Sequence, residues 1–435
     1  MDEQKPKDDS AVLGGQNSFD GSSLVLGGLQ GVWKRLHSNC SNQKVDALLD
    51  ALQYGQAGIE LVAQALGDRH REIRQSAFLL LSETNEDVAK QAIWNYLPWR
   101  KMQCLQTLTE FNLDCYAPKQ HHPDYFAIAN HNNTLLCYWD LTYKQSSINI
   151  WDLETLQRKI DFTGVFAHEF GLGKQGKVCI LSFQHLAWAL DTETQEHIST
   201  YPNCLMRVVE PNYHCFAVCP TKEPLFATGG GVGSAGKLEI WDYETYTRRL
   251  YYQFEDIVLY AVEKSLHLLE ERFCVRVSPL LFSPDGKFLV ARFQQRTRAR
   301  LQLWESKTGE LLHTIDNLPV SLTIYALAIG SDDRILACGT REDKVCVWEL
   351  ISDRILYNFV AVAPCLMSND GRVLIYCTDS HEIIIWDLAT NSQIQVLQGH
   401  TAPIAYMAMS DDREFVASYS IDRAIKIWGV PDLLS

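Results

Sequence analysis

The sequence predicts a mainly β protein made of seven four-stranded repeats closed into a ring, with a small α-helical segment in front. Three observations predict it. Seven tryptophans recur in similar strand-like contexts between residues 151 and 428. Short β-branched and aromatic runs, punctuated by Ser/Asp/Gly turns, fill the chain from Met102 onward. Upstream, residues 44–98 space their apolar side chains at helical intervals.

Composition narrows the function before any element is placed. The 435 residues are 46% hydrophobic and 21% charged, an ordinary balance for a globular protein. A net charge of −14 argues against a protein that works by gripping nucleic acid phosphates. The opening MDEQKPKDDS lacks the apolar core of a secretory signal. No run approaches the roughly 18 apolar residues of a membrane span. The expectation is a cytoplasmic protein with no membrane and no nucleic acid partner. Thirteen cysteines, an odd number without a CxxC pair, read as reduced and mostly buried thiols, with neither a disulfide framework nor a zinc site.

The first 40 residues, polar and Gly/Ser/Asp-rich over most of their length, read as a disordered lead-in. Residues 41–100 read as α-helical. KVDALLDALQ sets Val45, Leu48, Leu49 and Leu52 on one face, and Ile59, Val62 and Leu66 form the stripe of a second helix. Asp68 is the expected N-cap of a third helix carrying Ile73, Ala77, Leu80 and Leu81. DVAKQAIWNYLPW adds another amphipathic turn pattern that stops at Pro98. About two helical pairs are few for an independent solenoid, so the segment is expected either to pack on its neighbour or to offer a docking surface.

The ring occupies residues 101–435. Its markers are INIWD (Trp151), HLAWALD (Trp188), LEIWD (Trp241), LQLWE (Trp304), VCVWE (Trp348), IIIWD (Trp386) and IKIWG (Trp428). They are 37, 53, 63, 44, 38 and 42 residues apart, around one propeller blade each, with insertions in the two long intervals. The turns SPDG (283–286), GSDD (330–333), SNDG (368–371) and SDD (410–412) end first strands. KFLVARF, RILACGT, RVLIYCT, EFVASYS, LFATGG and YFAIAN read as second strands. Val416, Tyr419 and Ile421 supply sheet residues in the last repeat. After Trp428 seven residues remain, too few for a turn and a fourth strand. CLQTL near residue 104 matches the fourth strand LLHTI at 311–315 in character, so 102–108 is expected to join the last blade and close the ring.

These markers resemble the WD-repeat family, and the resemblance implies a seven-bladed WD-type β-propeller. The family's His–Ser/Thr–Asp–Trp tetrad maps fully onto the last blade: His400 of the Gly399-His400 pair, Ser418 or Ser420, Asp422 and Trp428. Thr340, Asp343 and Trp348 keep part of it. A short HEAT-like segment ahead of a propeller also resembles bacterial, particularly cyanobacterial, WD-repeat proteins.

Few constellations suggest chemistry. Gly231–Lys237 fits GxxxxGK, yet Leu238 follows and the next element is a strand. The helix N-terminus and the Ser/Thr that a phosphate-binding loop requires are both missing. Residues 229–237 therefore read as a flexible blade loop. HHPD at 121–124 reads as a turn after a first strand rather than a metal site. Tyr138-Trp139-Asp140 reads as an extended hairpin of the first blade. Residues 255–273 form an amphipathic helical pattern suited to packing or to partner docking. Arg296, Arg298 and Arg300 lie close together, and Arg341 and Arg423 occupy corresponding loops, all facing one side of a propeller. Convergent guanidiniums suit carboxylates or phosphates on a partner; separately, they are solvated loop residues.

No nucleophile motif, cofactor or metal is expected, and catalysis is not supported. The resemblance and the absent catalytic constellation together imply a non-enzymatic scaffold that binds proteins or peptides. Two other classes stay open: an adaptor whose helical segment covers the propeller, and a nucleotide or small-ligand binder using 229–237.

Overall fold

The computed structural model describes residues 28–38, 40–109 and 125–431, apart from 130–133, 141–145, 154, 164–168, 174–177, 184–185, 192–205, 208–212, 233–234, 246, 256–275, 295–298, 320, 331–333 and 342–343. The chain divides into two compact units. One comprises the helices up to Lys101 together with Val430 and Pro431; the other is Met102–Gly429.

The helical unit holds α1 (Gly28–Leu36), α2 (Ser41–Ala51), α3 (Gly55–Ala65), α4 (Arg71–Glu83) and α5 (Asp87–Asn95). Its apolar stripes meet in a core around Leu48, Val62, Ile73, Ala77 and Leu81, all essentially without solvent exposure. The unit thus buries a core of its own. Close approach of α2 and α3 depends on Gly58, where a Cβ would lie 1.8 Å from the Ala51 carbonyl oxygen. Two expectations change. Within the first 40 residues, 28–36 form α1 rather than a disordered lead-in. Nine residues are too few for a stable isolated helix, so its order comes from packing on α2, with Val32 buried and Arg35 2.7 Å from Asp50. Residues 1–27 lie outside the described residues. Asp68 also does not cap α4. Its Oδ1 accepts from the His70 N–H at 2.8 Å and its Oδ2 from Lys44 Nζ at 2.7 Å, bracing the loop ahead of the helix.

The second unit is seven antiparallel four-stranded sheets. Blades one to six span 125–163, 169–207, 213–255, 276–318, 323–359 and 362–397, each with its strands in chain order. Blade seven takes its first three strands from Ile404–Met409, Phe415–Ser420 and Ile425–Gly429, and its fourth from Gln103–Leu108. First strands touch their neighbours around the ring, and blade seven's touches blade one's. The core runs in layers between blades, built from buried Val, Ile, Leu and Ala of the second and third strands.

One irregularity recurs. In blades one, three, four, five and six, the ladder between third and fourth strands slips by one residue at the tryptophan. In blade six, for instance, Ile385 pairs with Gln395 but Trp386 with Gln393. Blade seven repeats it across the non-contiguous pair: Ile427 faces Gln106 and Trp428 faces Cys104, leaving Leu105 unpaired in the ladder and packed on the core. A bulge of this kind bends and twists the outer strand at a fixed place.

Several local expectations are corrected. YFAIA is the first strand of blade one, not the second; the second is Thr134–Asp140, which contains Tyr138-Trp139-Asp140. HHPD therefore precedes the first strand, and it lies outside the described residues, as does the amphipathic pattern after Glu255. Both runs alternate like strands, and pairing alone assigns their order. Residues 229–232 and 235–237 are strand rather than loop. Gly229, Gly230 and Gly231 pair with Leu238, Lys237 and Gly236 in a ladder that reaches Val232–Ala235. A Cβ at Gly229 would sit 2.8 Å from Val277 Cγ1, so glycine there lets blades three and four close up. Val430 and Pro431 lie outside the ring, because the ladder of blade seven is complete at Gly429 and Pro431 has no N–H to extend one. Of the cysteines whose side chains are described, Cys219, Cys338, Cys346, Cys365 and Cys377 are buried and all are free. Burial pushes the Cys377 thiol up to about 12, which keeps it inert.

Candidate interaction surface

Because each sheet is antiparallel, its second strand ends, its third begins and its fourth ends on one face, while its first and third end and its second and fourth begin on the other. The two faces treat their polar groups differently.

On the second face, side chains close the turns. Ser283, Ser368 and Ser410 each donate to the Asp two residues on (Asp285, Asp370, Asp412) at 2.5–2.7 Å. Each serine oxygen also accepts the first N–H of the following strand at 2.9–3.0 Å. In blades one, three and six the Asp after the tryptophan caps the turn to the fourth strand: Asp152 accepts from Thr155 N, Asp242 from Thr245 N and Asp387 from Ala389 N. Burial pushes the Asp387 carboxyl up. The Arg372 guanidinium, bound to both its oxygens at 3.1 and 2.9 Å, more than offsets this and holds it below the usual range. Arg413, with φ at 65°, reaches Asp370 of the neighbouring blade at 2.5 Å and is almost wholly buried.

On the first face, blade seven ties its two loops together through the tetrad. His400 lies in the link from blade six, and its Nδ1 is 3.0 Å from Asp422 Oδ2 in the turn between second and third strands. Its Nε2 is 2.8 Å from Ser418 Oγ, and the Trp428 indole N–H donates to the same oxygen at 2.8 Å. Asp422 also accepts from the Thr401 and Ala424 N–H groups, so donor accounting places the proton of a neutral imidazole on Nδ1. Burial lowers the His400 pKa, with Asp422 opposing, so the ring stays neutral near neutral pH. For Asp422, burial is outweighed by the Thr401 N–H and then by His400, and the carboxyl is held low. Register selects Ser418, opposite Lys426 and two residues before Trp428. Ser420 instead donates to the Ala402 carbonyl.

The same register explains why other blades lack the tetrad. The position opposite the residue two before the tryptophan is Gly339 in blade five, Tyr376 in blade six and Ala291 in blade four. Thr340 pairs one step further, opposite Val345, and so faces away from Trp348; it hydrogen-bonds Tyr325. Asp343 lies outside the described residues. Blade three has Thr228 there, yet its Trp241 donates to Glu239 at 3.0 Å and Arg248 binds the other oxygen at 2.9 Å.

Of the five arginines, Arg296 and Arg298 lie outside the described residues. Arg300 is held by Asp316 within its own blade. Arg341 ends the second strand of blade five, opposite Lys344. Arg423 is exposed in the blade-seven turn with φ at 65°, and no described residue pairs with its guanidinium. Beside it stands Ile421, which is not a sheet residue: the strand ends at Ser420, and Ile421 is 60% exposed. Sequence reasoning missed Val360, 90% exposed in the link from blade five to blade six. The available signal was an apolar residue between two strands that had no strand to join.

Among the described residues, no group of His, Cys, Asp or Glu is placed to hold a metal, and no helix is long and apolar enough to cross a membrane. Residues 391–429 match the WD40 family (WD domain, G-beta repeat), from the fourth strand of blade six through blade seven. Among curated proteins, the chain is 22% identical over 203 residues to LEC14B protein of Lithospermum erythrorhizon, covering 41% of this chain and 43% of that one. It is 22% identical over 208 residues to the periodic tryptophan protein 2 homolog of Dictyostelium discoideum (46% and 20%). WD repeat-containing protein SL1-17 of Schistosoma mansoni is 28% identical over 144 residues (31% and 45%). The matches span less than half the length of these relatives. The β-propeller domain of Myceliophteria thermophila Cps50 (Swd1) aligns with TM-score 0.52 and 14% identity over 76% of this chain and all of that one. Residues 102–429 therefore fold as a seven-bladed β-propeller, and its last blade is similar to a WD40 repeat of the G-beta type.

Proposed function

We propose that this protein is a non-enzymatic platform that docks partner proteins or peptides on the face bearing Ile421 and Arg423. The supporting observation is the contrast between two arginines with the same backbone strain. Arg413 and Arg423 both have φ at 65°, a region that favours glycine. Arg413 has a structural use in its buried pair with Asp370. Arg423 has none among the described residues, and its turn is braced by Asp422, Ser420 and the Ile421 N–H to Pro403 carbonyl bond at 3.0 Å. A braced turn that displays an unpaired guanidinium beside an exposed isoleucine suits a partner carrying a carboxylate next to an apolar side chain. Arg341, Arg296 and Arg298 belong to the same face in this reading, and Val360 extends its apolar part. The helix pairs α2–α3 and α4–α5 support the HEAT-like reading of the first unit. The cytoplasm is the compartment that suits the free thiols.

The test is affinity capture with the intact chain and with Ile421→Asp/Arg423→Glu. Retained folding, shown by an unchanged melting profile, with loss of the captured proteins is the expected result. An unaltered set of captured proteins would remove this face from consideration.

A further inference from the structure

We propose that a cavity of the helical unit, half polar and half apolar, is a binding site for a small molecule that carries one carboxylate on a short hydrocarbon chain. The cavity has a volume of about 460 Å³, within the range of small-ligand sites. Leu36, Leu61 and Ile73 supply its apolar wall, and Lys44, Asp68 and Arg69 its charged one.

Three physical arguments choose this ligand. The first is an incomplete set of donors. Lys44, on α2, is only 8% exposed, and its ammonium has three N–H groups to place. One goes to Asp68 Oδ2 at 2.7 Å, and no described residue accepts the other two. A buried donor without an acceptor is costly, so an ion pair that serves structure alone is expected to satisfy all of them. Lys44 lines the cavity, and an occupant there can complete its set.

The second argument is charge. Burial pushes the Asp68 carboxyl up, but Lys44 and the His70 N–H more than offset this and hold it below the usual range. Asp68 therefore stays ionised and balances Lys44. Arg69 is the surplus: it is exposed, its Nε donates to His70 Nε2 at 3.0 Å, and no described carboxylate pairs with it. One positive charge is left over among the three charged residues of the lining, which a monoanion neutralises and a dianion overshoots. The planar fork of a guanidinium also matches a carboxylate.

The third argument is preorganisation. Leu36, Lys44, Leu61 and Ile73 come from four different helices, α1 to α4, which share one core. The loop between α3 and α4 is held by the bonds of Asp68 to His70 and Lys44. A site whose walls are fixed before the ligand arrives loses little ordering entropy on binding. This site stands apart from the propeller face bearing Ile421 and Arg423, and neither depends on the other.

Calorimetric titration of hexanoate, hexanol and hexyl phosphate into the intact chain tests the proposal. Hexanoate is expected to bind, and the other two at least about tenfold more weakly. No binding of hexanoate, equal binding of hexanol or tighter binding of hexyl phosphate would overturn it. Arg69→Gln, an exposed change that should leave the melting profile unaltered, should weaken hexanoate about tenfold and leave hexanol as it was. Lys44→Met/Asp68→Asn removes the ion pair as a pair, keeps an acceptor for the His70 N–H and retains the Arg69 charge. It should also weaken hexanoate, through the lost ammonium donors alone. Parental affinity in either variant would overturn the assignment of the site.

Discussion

Blades six and seven are neighbours with the same strand order, the same bulge and the same serine–aspartate turn, yet they secure their tryptophan strands differently. In blade six the chain continues from Trp386 through Asp387 into its own fourth strand. Asp387 caps that turn and is gripped by buried Arg372, while the Trp386 indole N–H finds no acceptor among the described residues. In blade seven the ring strand ends at Gly429, no turn follows it among the described residues, and no acid stands after the tryptophan. Here the indole is held through Ser418, His400 and Asp422. Where the backbone supplies the fourth strand, one carboxylate suffices; where the strand arrives from the far end of the chain, a side-chain network holds the third strand in place.

The comparison breaks most severely if the distant strand is removed. Deleting 102–108 exposes the edge bearing Ile425 and Ile427, and cooperative melting of the propeller should disappear in calorimetry. Melting at the parental temperature would show that closure of blade seven is dispensable. In blade six, Asp387→Ala removes the carboxylate that grips both sides of the buried Arg372 guanidinium, so denaturant unfolding should lose about 3–5 kcal/mol. Replacing both partners by leucine should restore most of that.

Ser418→Ala strands the Trp428 N–H and should cost about 1–3 kcal/mol. Thr228→Ala, at the matching register in blade three, should cost far less, since the Thr228 hydroxyl has no partner among the described residues; equal losses would deny the tetrad a special role. Gly429→Ala would place a Cβ 2.5 Å from Leu105 Cδ1, a clash with a movable side chain worth about 1 kcal/mol. Leu105→Ala in the same chain should absorb the effect, giving a measurable coupling.

The smallest effect is titration of His400. Its folded pKa lies below the ordinary 6.5, so the unfolded state binds the proton first. Its contribution is complete above about 6.5 and is lost as pH falls from there through the folded value. The slope for one proton cannot exceed about 1.4 kcal/mol per pH unit. Subtracting the stability profile of His400→Gln from that of the parent between pH 7 and 5 should isolate it. A difference that does not change with pH would mean that the imidazole is not held neutral.

Much of this was legible in the residues. The seven tryptophans, the β-branched runs before them and the Asp/Gly turns mark third strands and the blade number, since each feature acts within a few residues. The helical stripes of 44–98 are equally local. What escaped sequence reasoning depends on partners distant in the chain. Tyr125–Ala129 and Thr134–Asp140 alternate alike, and pairing alone ranks them. The glycines at 229–231 look like a loop until Val277 of the next blade explains the missing side chain. Thr340 looks like a tetrad member until register turns it to the other side of its strand. Ile421 reads as a strand residue, although the strand stops one residue earlier.

Sequence alone determined the repeat, its period and the helical preface, because alternation, helical spacing and turn chemistry are properties of neighbouring residues. It also contained both ends of the ring and all four tetrad residues. Tertiary structure decided which hydroxyl completes the tetrad, which arginine is buried and which displayed, and where the chain goes after Gly429. Those outcomes rest on cross-strand register and on packing between blades, which bring together residues hundreds of positions apart, such as Lys426 and Thr107. No local pattern records such a contact.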